Sequence, residues 1–378
     1  MRALCWEGAG ALAVREVPDP ELRNAHDMIV RVRRSMTCGG DLPLLAGRVP
    51  EAAAGEVLGH EFLGEVVEVG PGVRRHRLAD RVVVGAAVAC GACWFCRQGL
   101  LACCDNGTGG AAAEPEWGPP AAGCYGRPTR LGGFAGGHAE YVRVPYADVG
   151  AYPVPEEVDD DRAVFAADAA PAGWHGVELG GVAPGDVVAV WGAGAVGQLT
   201  AGAAVARGAA RVIVVDEHDD RLDMVARHTG AEPLHHRSVD VLAELRERSG
   251  GRGPDVCVDA AGPPSAPARW PTAGPDGGVA LREAVHACRK GGTVVVLGGG
   301  TPFVDRFPLG AVTDKGLTVR GGSRAGPDAI PALLDRMARG ELVTEHLATH
   351  RLPLDRGALG YALFRDRADG CVRTVFTP

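Results

Sequence analysis

The feature that most restricts the fold is an alternation of buried strands and helices in the second half of the chain. Four continuous apolar runs suit strands covered on both faces: DVVAVWG, ARVIVVD, PDVCVDAAG and GGTVVVLGG. Helix-like segments alternate with them: VGQLTAGAAVARG, DRLDMVARHTG, VDVLAELRERSG and LREAVHACRKG. This alternation predicts a domain over 155–320 of α/β class, with a doubly wound parallel sheet.

The first 154 residues have a different pattern. Short β-type runs are separated by glycine and proline: MIVRVRR, FLGEVVEVG, DRVVVGA and AEYVRVP. They predict a mainly antiparallel β domain over 1–154. Residues 321–378 carry one helical segment, DAIPALLDRMARG, and we expect them to return to the first domain. Segments 105–137 and 263–280, rich in glycine, alanine or proline, are predicted loops.

Charge and composition exclude several classes of protein. The 378 residues carry a net charge of −8 and no run rich in lysine or arginine, which argues against a nucleic-acid or membrane binder. The N-terminus lacks the apolar core of a signal peptide, so we expect a cytoplasmic protein. The uncharged stretch Val187–Ala206 is interrupted by glycines and indicates a strand, a turn and a helix rather than a membrane span.

A glycine-rich turn follows the strand DVVAVW and opens a helix. Its residues are Gly192, Gly194, Ala195, Val196 and Gly197, in the pattern GxGxxG. The first glycine allows a tight turn, the second lets the backbone approach a pyrophosphate, and the third lets helix and strand pack closely. The alternative is a glycine turn in an α/β fold that binds no dinucleotide.

The next strand ends at Asp216, nineteen residues after Gly197. An acid here can accept hydrogen bonds from the ribose hydroxyls of NAD and would repel a 2′-phosphate. Glu217 and His218 follow it, so we predict NAD rather than NADP.

Four cysteines at short spacing indicate a closed zinc site. They are Cys90, Cys93, Cys96 and Cys104. Four thiolates suit tetrahedral structural zinc, which leaves no position for a substrate. Cys103 competes with Cys104 as the fourth ligand, and the alternative is a cluster of free thiols.

A second metal site is dispersed along the chain. Cys38 follows a strand, and His60 lies in LGHEF just before another. A thiolate and an imidazole leave zinc open to further ligands, as catalytic zinc requires. Asp41 is a candidate to orient the His60 ring, while spacing alone does not identify a third ligand. Without further context, a purely structural role for Cys38 and His60 is the alternative.

Several motifs in order resemble the zinc-dependent medium-chain alcohol dehydrogenases. They are CGGDLP, GHEFLGEVVEVG, the four-cysteine loop, GxGxxG and the ending LPLDRGALGYALFRDRADGCVRTVF. CCDN, GGFAGGHAEYVRVPYADVG and DAAPAGWHG resemble the formaldehyde dehydrogenase-like branch. The resemblance implies a GroES-like β domain plus a Rossmann NAD-binding domain, an active site between them, and a homodimer or homotetramer.

The same resemblance implies roles for individual residues. Cys38, His60 and Asp168 match catalytic zinc ligands, so that each chain would hold two zinc ions, one catalytic and one structural. Glu61 matches an acid that approaches the metal when ligands exchange, and Arg221 matches a position near the adenosine.

The chain departs from the family pattern at two positions. The family has serine or threonine where Gly40 stands and histidine where Pro43 stands, and these groups pass on the substrate proton. Three explanations are open: water or a substrate hydroxyl fills the room beside Gly40, His175 substitutes, or the reaction needs no such relay. Gly40 also predicts a larger pocket and hence a substrate larger than formaldehyde, such as a specialised metabolite.

These patterns predict an enzyme that transfers hydride between an alcohol or carbonyl substrate and NAD. One alternative is a reductase of a polarised C=C or C=N bond, or a dismutase that recycles bound NAD. The other is a catalytically inactive NAD-binding protein, for which the missing relay argues.

Overall fold

The computed structural model describes residues 1–49, 52–107, 122–127, 132–262, 277–298, 304–322 and 329–378. Its contacts divide the chain into two compact units: Met1–Pro171 with Arg324–Pro378, and Ala172–Ser323. The domain limits that the sequence predicts, after 154 and 320, stay predictions. Most of the two predicted loops, at 108–121, 128–131 and 263–276, lies outside the described residues.

The strands, in chain order, are β1 Arg2–Gly8, β2 Ala11–Glu16, β3 Met28–Met36, β4 Glu56–Val57, β5 Phe62–Val69, β6 Arg81–Val84, β7 Ala87–Val88, β8 Gly123–Cys124, β9 Tyr141–Val144, β10 Ala151–Pro153, β11 Val187–Trp191, β12 Arg211–Asp216, β13 Glu232–His235, β14 Val256–Asp259, β15 Thr293–Val296, β16 Thr318–Gly321, β17 His350–Pro353 and β18 Thr374–Thr377.

The α-helices are α1 Leu42–Leu45, α2 Trp94–Arg97, α3 Ala147–Gly150, α4 Asp160–Ala163, α5 Ala169–Gly180, α6 Ala195–Ala206, α7 Asp219–His228, α8 Val241–Arg248, α9 Val279–Ala287, α10 Leu309–Lys315, α11 Ile330–Ala338 and α12 Gly357–Asp366. Single turns of 3₁₀-helix occupy Gly39–Asp41, Leu101–Cys103, Val164–Ala167, Glu345–Leu347, Leu354–Arg356 and Ala368–Gly370. None of the helices in the described ranges has the length and apolar character that crossing a membrane requires.

The first unit is built on antiparallel sheets. Its larger sheet has the order β10-β6-β5-β3-β18-β17, with β9 also paired to β3, and a smaller sheet has the order β2-β1-β4. All of these pairs are antiparallel except β17 with β18. The C-terminal strand β18 pairs with β3 through Val375 and Met36, so the tail completes this sheet.

The second unit is a parallel sheet with the order β13-β12-β11-β14-β15-β16. Alternate residues of its strands enter two different cores: Val188 and Val190 belong to one, while Val187, Ala189 and Trp191 belong to the other. Burial on both faces explains why these strands are apolar at every position. The sequence-based prediction of an α/β fold with a parallel sheet is confirmed.

Two parts of the secondary structure differ from the sequence-based expectation. The tail contains a second helix, α12, which its glycine-rich sequence GALGYALFRD signals weakly, because glycine disfavours helix interiors. The hairpin β1–β2 was not among the predicted strands, and its turn is Ala9 and Gly10. The span Val187–Ala206 forms a strand, a turn and a helix, as predicted.

Candidate functional site

The four-cysteine loop brings four sulfur atoms together around one point. Cys90, Cys93, Cys96 and Cys104 each offer an Sγ atom, and these atoms lie within 4.8 Å of one another. The Sγ–Sγ distance is 4.0 Å both for Cys90 with Cys96 and for Cys93 with Cys104. Cys103 is exposed and is not part of the group. The donor set fits closed, tetrahedral zinc.

Hydrogen bonds prepare this loop for thiolates. The backbone N–H groups of Ala92 and Cys93 donate to Cys90 Sγ over 3.4 and 3.3 Å, and the Asn106 amide donates over 3.3 Å. Burial raises the pKa of Cys90, but these donors outweigh burial and lower the pKa to about 6. At Cys90 the loop therefore favours the charged form that binds a metal, whereas burial raises the pKa of Cys96 to about 12.

The second metal cluster also forms, from three separate parts of the first unit. Cys38 lies between β3 and the 3₁₀ turn Gly39–Asp41, and His60 and Glu61 immediately precede β5. Asp168 lies between the turn Val164–Ala167 and helix α5, with φ −154° and ψ −51°.

The ligand atoms of this cluster converge on one point. One atom from each of Cys38, His60, Glu61 and Asp168 lies within 4.8 Å of the others. His60 Nε2 is 3.6 Å from Asp168 Oδ2 and 4.0 Å from Glu61 Oε1. One thiolate, one imidazole and carboxylates are the ligand types of catalytic zinc, which binds sulfur at about 2.3 Å and nitrogen or oxygen at about 2.0–2.2 Å.

Burial and charge in this cluster also fit a cation. Burial raises the pKa of Glu61 to about 7, although the Arg373 guanidinium opposes the rise. Burial and the Glu61 carboxylate raise the pKa of the Cys38 thiol. Both oxygens of Glu61 are buried without a hydrogen-bond donor among the described residues. A divalent cation would supply the missing positive charge.

Asp41 lies behind His60, as the sequence predicts for an orienting residue. Its Oδ1 atom is 3.3 Å from His60 Nδ1, which leaves Nε2 directed at the cluster. Its Oδ2 atom accepts hydrogen bonds from the Cys38 N–H at 3.1 Å and the Tyr361 hydroxyl at 2.8 Å. Burial acts against ionisation of Asp41, but His60 and Arg127 hold its pKa below the usual value.

Tyr361 and His138 extend this network, and sequence analysis missed both. The Tyr361 hydroxyl donates to Asp41, so it accepts from His138 Nε2 at 2.9 Å. His138 Nδ1 then accepts from the Ser35 hydroxyl at 2.8 Å. Burial lowers the pKa of His138 to about 4, so the ring is neutral and donates from one nitrogen only. The chain of hydrogen bonds fixes Asp41, whose Oδ1 atom lies 3.3 Å from His60 Nδ1.

Tyr361→Phe should weaken zinc binding at the dispersed cluster about 10- to 100-fold, the usual effect of removing a group that holds a metal ligand in place. Competition with a zinc chelator measures this affinity. Tyr152→Phe is the matched control, because its hydroxyl donates to the Val149 carbonyl and Tyr152 belongs to neither metal cluster. Equal zinc affinities of Tyr361→Phe and wild-type protein would show that this hydroxyl does not support the site.

Arg373 is a further residue that sequence analysis missed. It lies just before β18, and its Nη2 atom is 3.4 Å from Glu61 Oε1 and 3.9 Å from Cys38 Sγ. Its Nη1 atom donates to the Thr37 carbonyl at 2.8 Å. The C-terminal part of the chain thus supplies a buried cation beside Glu61 and Cys38.

The end of the Arg127 side chain lies beside Gly40. A Cβ atom on Gly40 would lie 2.7 Å from Arg127 Nη2 and 3.8 Å from both Cys38 Sγ and His60 Cε1. Arg127 itself is 3.2 Å from Asp41 Oδ1. Gly40 thus makes room for a guanidinium, and a substrate larger than formaldehyde stays a prediction.

The glycine turn of the second unit has the geometry expected from its sequence. Gly192 has a φ of +99°, which only glycine adopts readily. A Cβ atom on Gly197 would lie 1.8 Å from the Gly192 carbonyl oxygen, so the third glycine is needed for close packing. Gly194 precedes helix α6, whose first residues are Ala195 and Val196. The free N–H groups of this helix start can receive a pyrophosphate.

Asp216 ends β12 beside this turn. Its Oδ2 atom accepts from the Ala193 N–H at 2.6 Å, and its Oδ1 atom accepts from the N–H groups of Glu217 and His218. Burial raises its pKa, but hydrogen bonds from His218 and Ala193 outweigh burial and lower the pKa to about 2. Arg221 is buried in α7, with Nη1 3.9 Å from the Cβ position of Gly194. Both residues thus border the turn.

His175, like Asp41, is a catalytic candidate that does not belong to the metal cluster. It lies on the part of α5 that belongs to the second unit, and its Nδ1 atom is 3.8 Å from Glu178 Oε2. Its role in proton transfer stays a prediction.

Known protein families match parts of both units. Residues 24–156 match the alcohol dehydrogenase GroES-like domain, and residues 195–339 match the zinc-binding dehydrogenase family. An uncharacterised zinc-type alcohol dehydrogenase-like protein, AdhB of Bacillus subtilis, is 33% identical over 394 residues, which cover all of both chains. The matches do not favour the reductase, dismutase or inactive alternatives.

Two other similarities bear on the branch and the fold. Glutathione-independent formaldehyde dehydrogenase of Pseudomonas aeruginosa is 36% identical over 281 residues, covering 69% of this chain and 65% of that protein. The structure of the alcohol dehydrogenase TADH from Thermus sp. ATN1 superposes with a TM-score of 0.86 at 33% identity, covering 100% of this chain and 99% of that one. The chain belongs to the zinc-type alcohol dehydrogenases of the medium-chain family and is an oxidoreductase.

Proposed function

We propose that this protein is an NAD-dependent, zinc-containing dehydrogenase that transfers hydride between an alcohol or its carbonyl form and NAD. The observation that carries the proposal is the convergence of Cys38, His60 and Asp168, with Glu61, on one point. A site with one thiolate, one imidazole and a carboxylate leaves zinc open to a substrate oxygen, whereas the four-cysteine loop does not.

The two metal clusters and the glycine turn would have different roles in this reaction. Cys38, His60 and Asp168 would hold the catalytic zinc, and the four-cysteine loop would hold a second, structural zinc. The glycine turn and Asp216 would bind the pyrophosphate and ribose of NAD, with Arg221 near the adenosine. When bound, zinc would polarise the substrate oxygen and NAD would accept the hydride.

Asp41 positions His60, and Glu61 is paired with Arg373 beside the metal ligands. From this position Glu61 would approach the metal during ligand exchange. His175 would take part in passing the substrate proton to solvent. A homodimer or homotetramer and a cytoplasmic location complete the proposal.

A panel of primary and secondary alcohols, incubated with NAD and zinc-loaded protein, tests this function through the absorbance of reduced cofactor. Turnover of at least one alcohol is expected. A reductase of polarised C=C or C=N bonds would instead consume reduced cofactor, and only when it is given a substrate with such a bond. A dismutase would exchange little deuterium between its products and added NAD. Failure of the whole panel with protein that holds two zinc ions would contradict the proposal.

Asp216→Asn should reduce the preference for NAD over NADP. The amide loses the negative charge that repels a 2′-phosphate and accepts ribose hydrogen bonds less well, which predicts a loss of about tenfold in kcat/KM with NAD. The ratio of kcat/KM values for the two cofactors measures the change. Asp219→Asn is the control, since its side chain is 91% exposed. An unchanged ratio in Asp216→Asn would show that this acid does not select the cofactor.

A further inference from the structure

Arg127 occupies the place next to the candidate catalytic metal where Gly40 lacks a side chain. Its side chain is only 13% exposed. A Cβ atom on Gly40 would lie 2.7 Å from Arg127 Nη2 and 3.8 Å from Cys38 Sγ. The Nη2 and Sγ atoms are therefore at most about 6.5 Å apart. The same limit applies to His60 Cε1. The guanidinium thus lies beside two of the metal ligands.

A guanidinium in this place cannot pass on a proton, because arginine remains protonated in proteins. It can bind an anion, since its planar group offers several N–H donors in a fork that matches a carboxylate. Among the described residues, Arg127 has one ion pair, from Nη2 to Asp41 Oδ1. Its Nε and Nη1 atoms have no hydrogen bond to any of the described residues. Donors are therefore left for a ligand.

The charges around the cluster also suit an anionic ligand. Two groups are positive, Arg127 and Arg373. Four groups would be negative when zinc is bound: Cys38, Asp41, Glu61 and Asp168. With Zn²⁺ the sum is zero, so a monoanion can enter without net repulsion. Without Arg127 the sum would be negative before the substrate arrived, and repulsion at these short distances is strong.

We propose that Arg127 binds a carboxylate of the substrate, so that the enzyme acts on a hydroxy acid or the corresponding oxo acid. This inference rests on the proposed dehydrogenase function for the reaction, but the binding of a carboxylate by Arg127 is independent of turnover. Arg127 would then determine specificity, because it favours acids over neutral alcohols with the same carbon skeleton.

The kinetic test compares 3-hydroxybutyrate with the neutral 1,3-butanediol in the zinc-loaded enzyme with NAD. Wild-type protein should prefer the acid in kcat/KM. Arg127→Gln should lower kcat/KM for the acid by about 10- to 100-fold, as the loss of hydrogen bonds to a charged group predicts. The value for butanediol should fall less than the value for the acid, because the diol has no group for Arg127 and loses only the support that Arg127 gives to Asp41. If Arg127 only holds Asp41 in place, both substrates lose activity equally.

A second variant displaces the guanidinium without removing it. The methyl group of Gly40→Ala would lie 2.7 Å from Arg127 Nη2, and the end of this flexible side chain would move away. Gly40→Ala should therefore also reduce the preference for the acid, and it should add nothing in the Arg127→Gln background. Arg365→Gln is the control, since this exposed arginine is paired with Asp366.

A binding measurement separates failure of this inference from failure of the proposed function. Calorimetry on zinc-loaded protein compares butyrate with its neutral analogue butyramide, neither of which carries an alcohol to oxidise. Wild-type protein should bind butyrate about 10- to 100-fold more tightly than Arg127→Gln does. Equal butyrate affinities in the two proteins would overturn the inference. If wild-type protein bound butyrate more tightly than Arg127→Gln but oxidised no alcohol, the anion site would be supported and the proposed dehydrogenase function would be contradicted.

Discussion

Cys38→Ser is expected to remove one of two zinc ions per chain and to abolish most of the activity. Zinc prefers a thiolate to a hydroxyl, and the loss of one of three protein ligands leaves the metal weakly held. Metal catalysis contributes several kcal/mol, so kcat/KM for any alcohol that the wild-type enzyme oxidises should fall by about 10³-fold or more. Elemental analysis of the purified protein gives the zinc content, and the alcohol assay gives the rate.

Cys5→Ser is the matched control for this variant, because Cys5 is a buried cysteine of the first unit that belongs to neither metal cluster. It should keep two zinc ions and full activity. If Cys38→Ser also kept both, the dispersed cluster would not be a zinc site.

Cys104→Ser is expected to destabilise the protein while Cys103→Ser leaves it unchanged. The two cysteines are adjacent, but Cys104 is buried among the sulfur atoms of the loop and Cys103 is exposed. Structural zinc contributes folding free energy directly, and loss of several kcal/mol should lower Tm by about 10 °C or more. Thermal unfolding monitored by circular dichroism, with zinc content measured in parallel, tests the pair. Equal unfolding temperatures of the two variants would exclude Cys104 as a ligand.

The sequence predicted the parts of the fold that are governed by local patterns. Strands β11 and β12 are apolar at nearly every position because both faces of the sheet are covered, and this is visible without coordinates. The cysteine loop is equally local, since its four ligands lie within fifteen positions. Helix α12 was missed because glycines weaken its helical signal.

The dispersed site could be predicted only in part. Cys38 and His60 each sit beside a recognisable strand, but Asp168 lies in an irregular linker that has no local signature and was identified by family resemblance alone. Tyr361 contacts Asp41 across 320 positions of sequence. No periodicity or spacing rule reaches that far, because such a contact depends on the tertiary path of the chain.

Arg127 shows the same limit in a different way. The sequence shows that Gly40 lacks the relay hydroxyl and predicts room beside it. What fills that space comes from a segment 87 positions away that follows β8. A missing side chain is visible in a sequence, but the neighbour that replaces it is not.

The proposed function depends on the binding of a zinc ion by Cys38, His60 and Asp168. A crystal structure of the zinc-loaded protein, with diffraction data collected on both sides of the zinc absorption edge, tests it most directly. We expect two anomalous peaks per chain, one in the four-cysteine loop and one bonded to Cys38 Sγ at about 2.3 Å. A single peak, in the four-cysteine loop only, would show that Cys38, His60 and Asp168 hold no zinc.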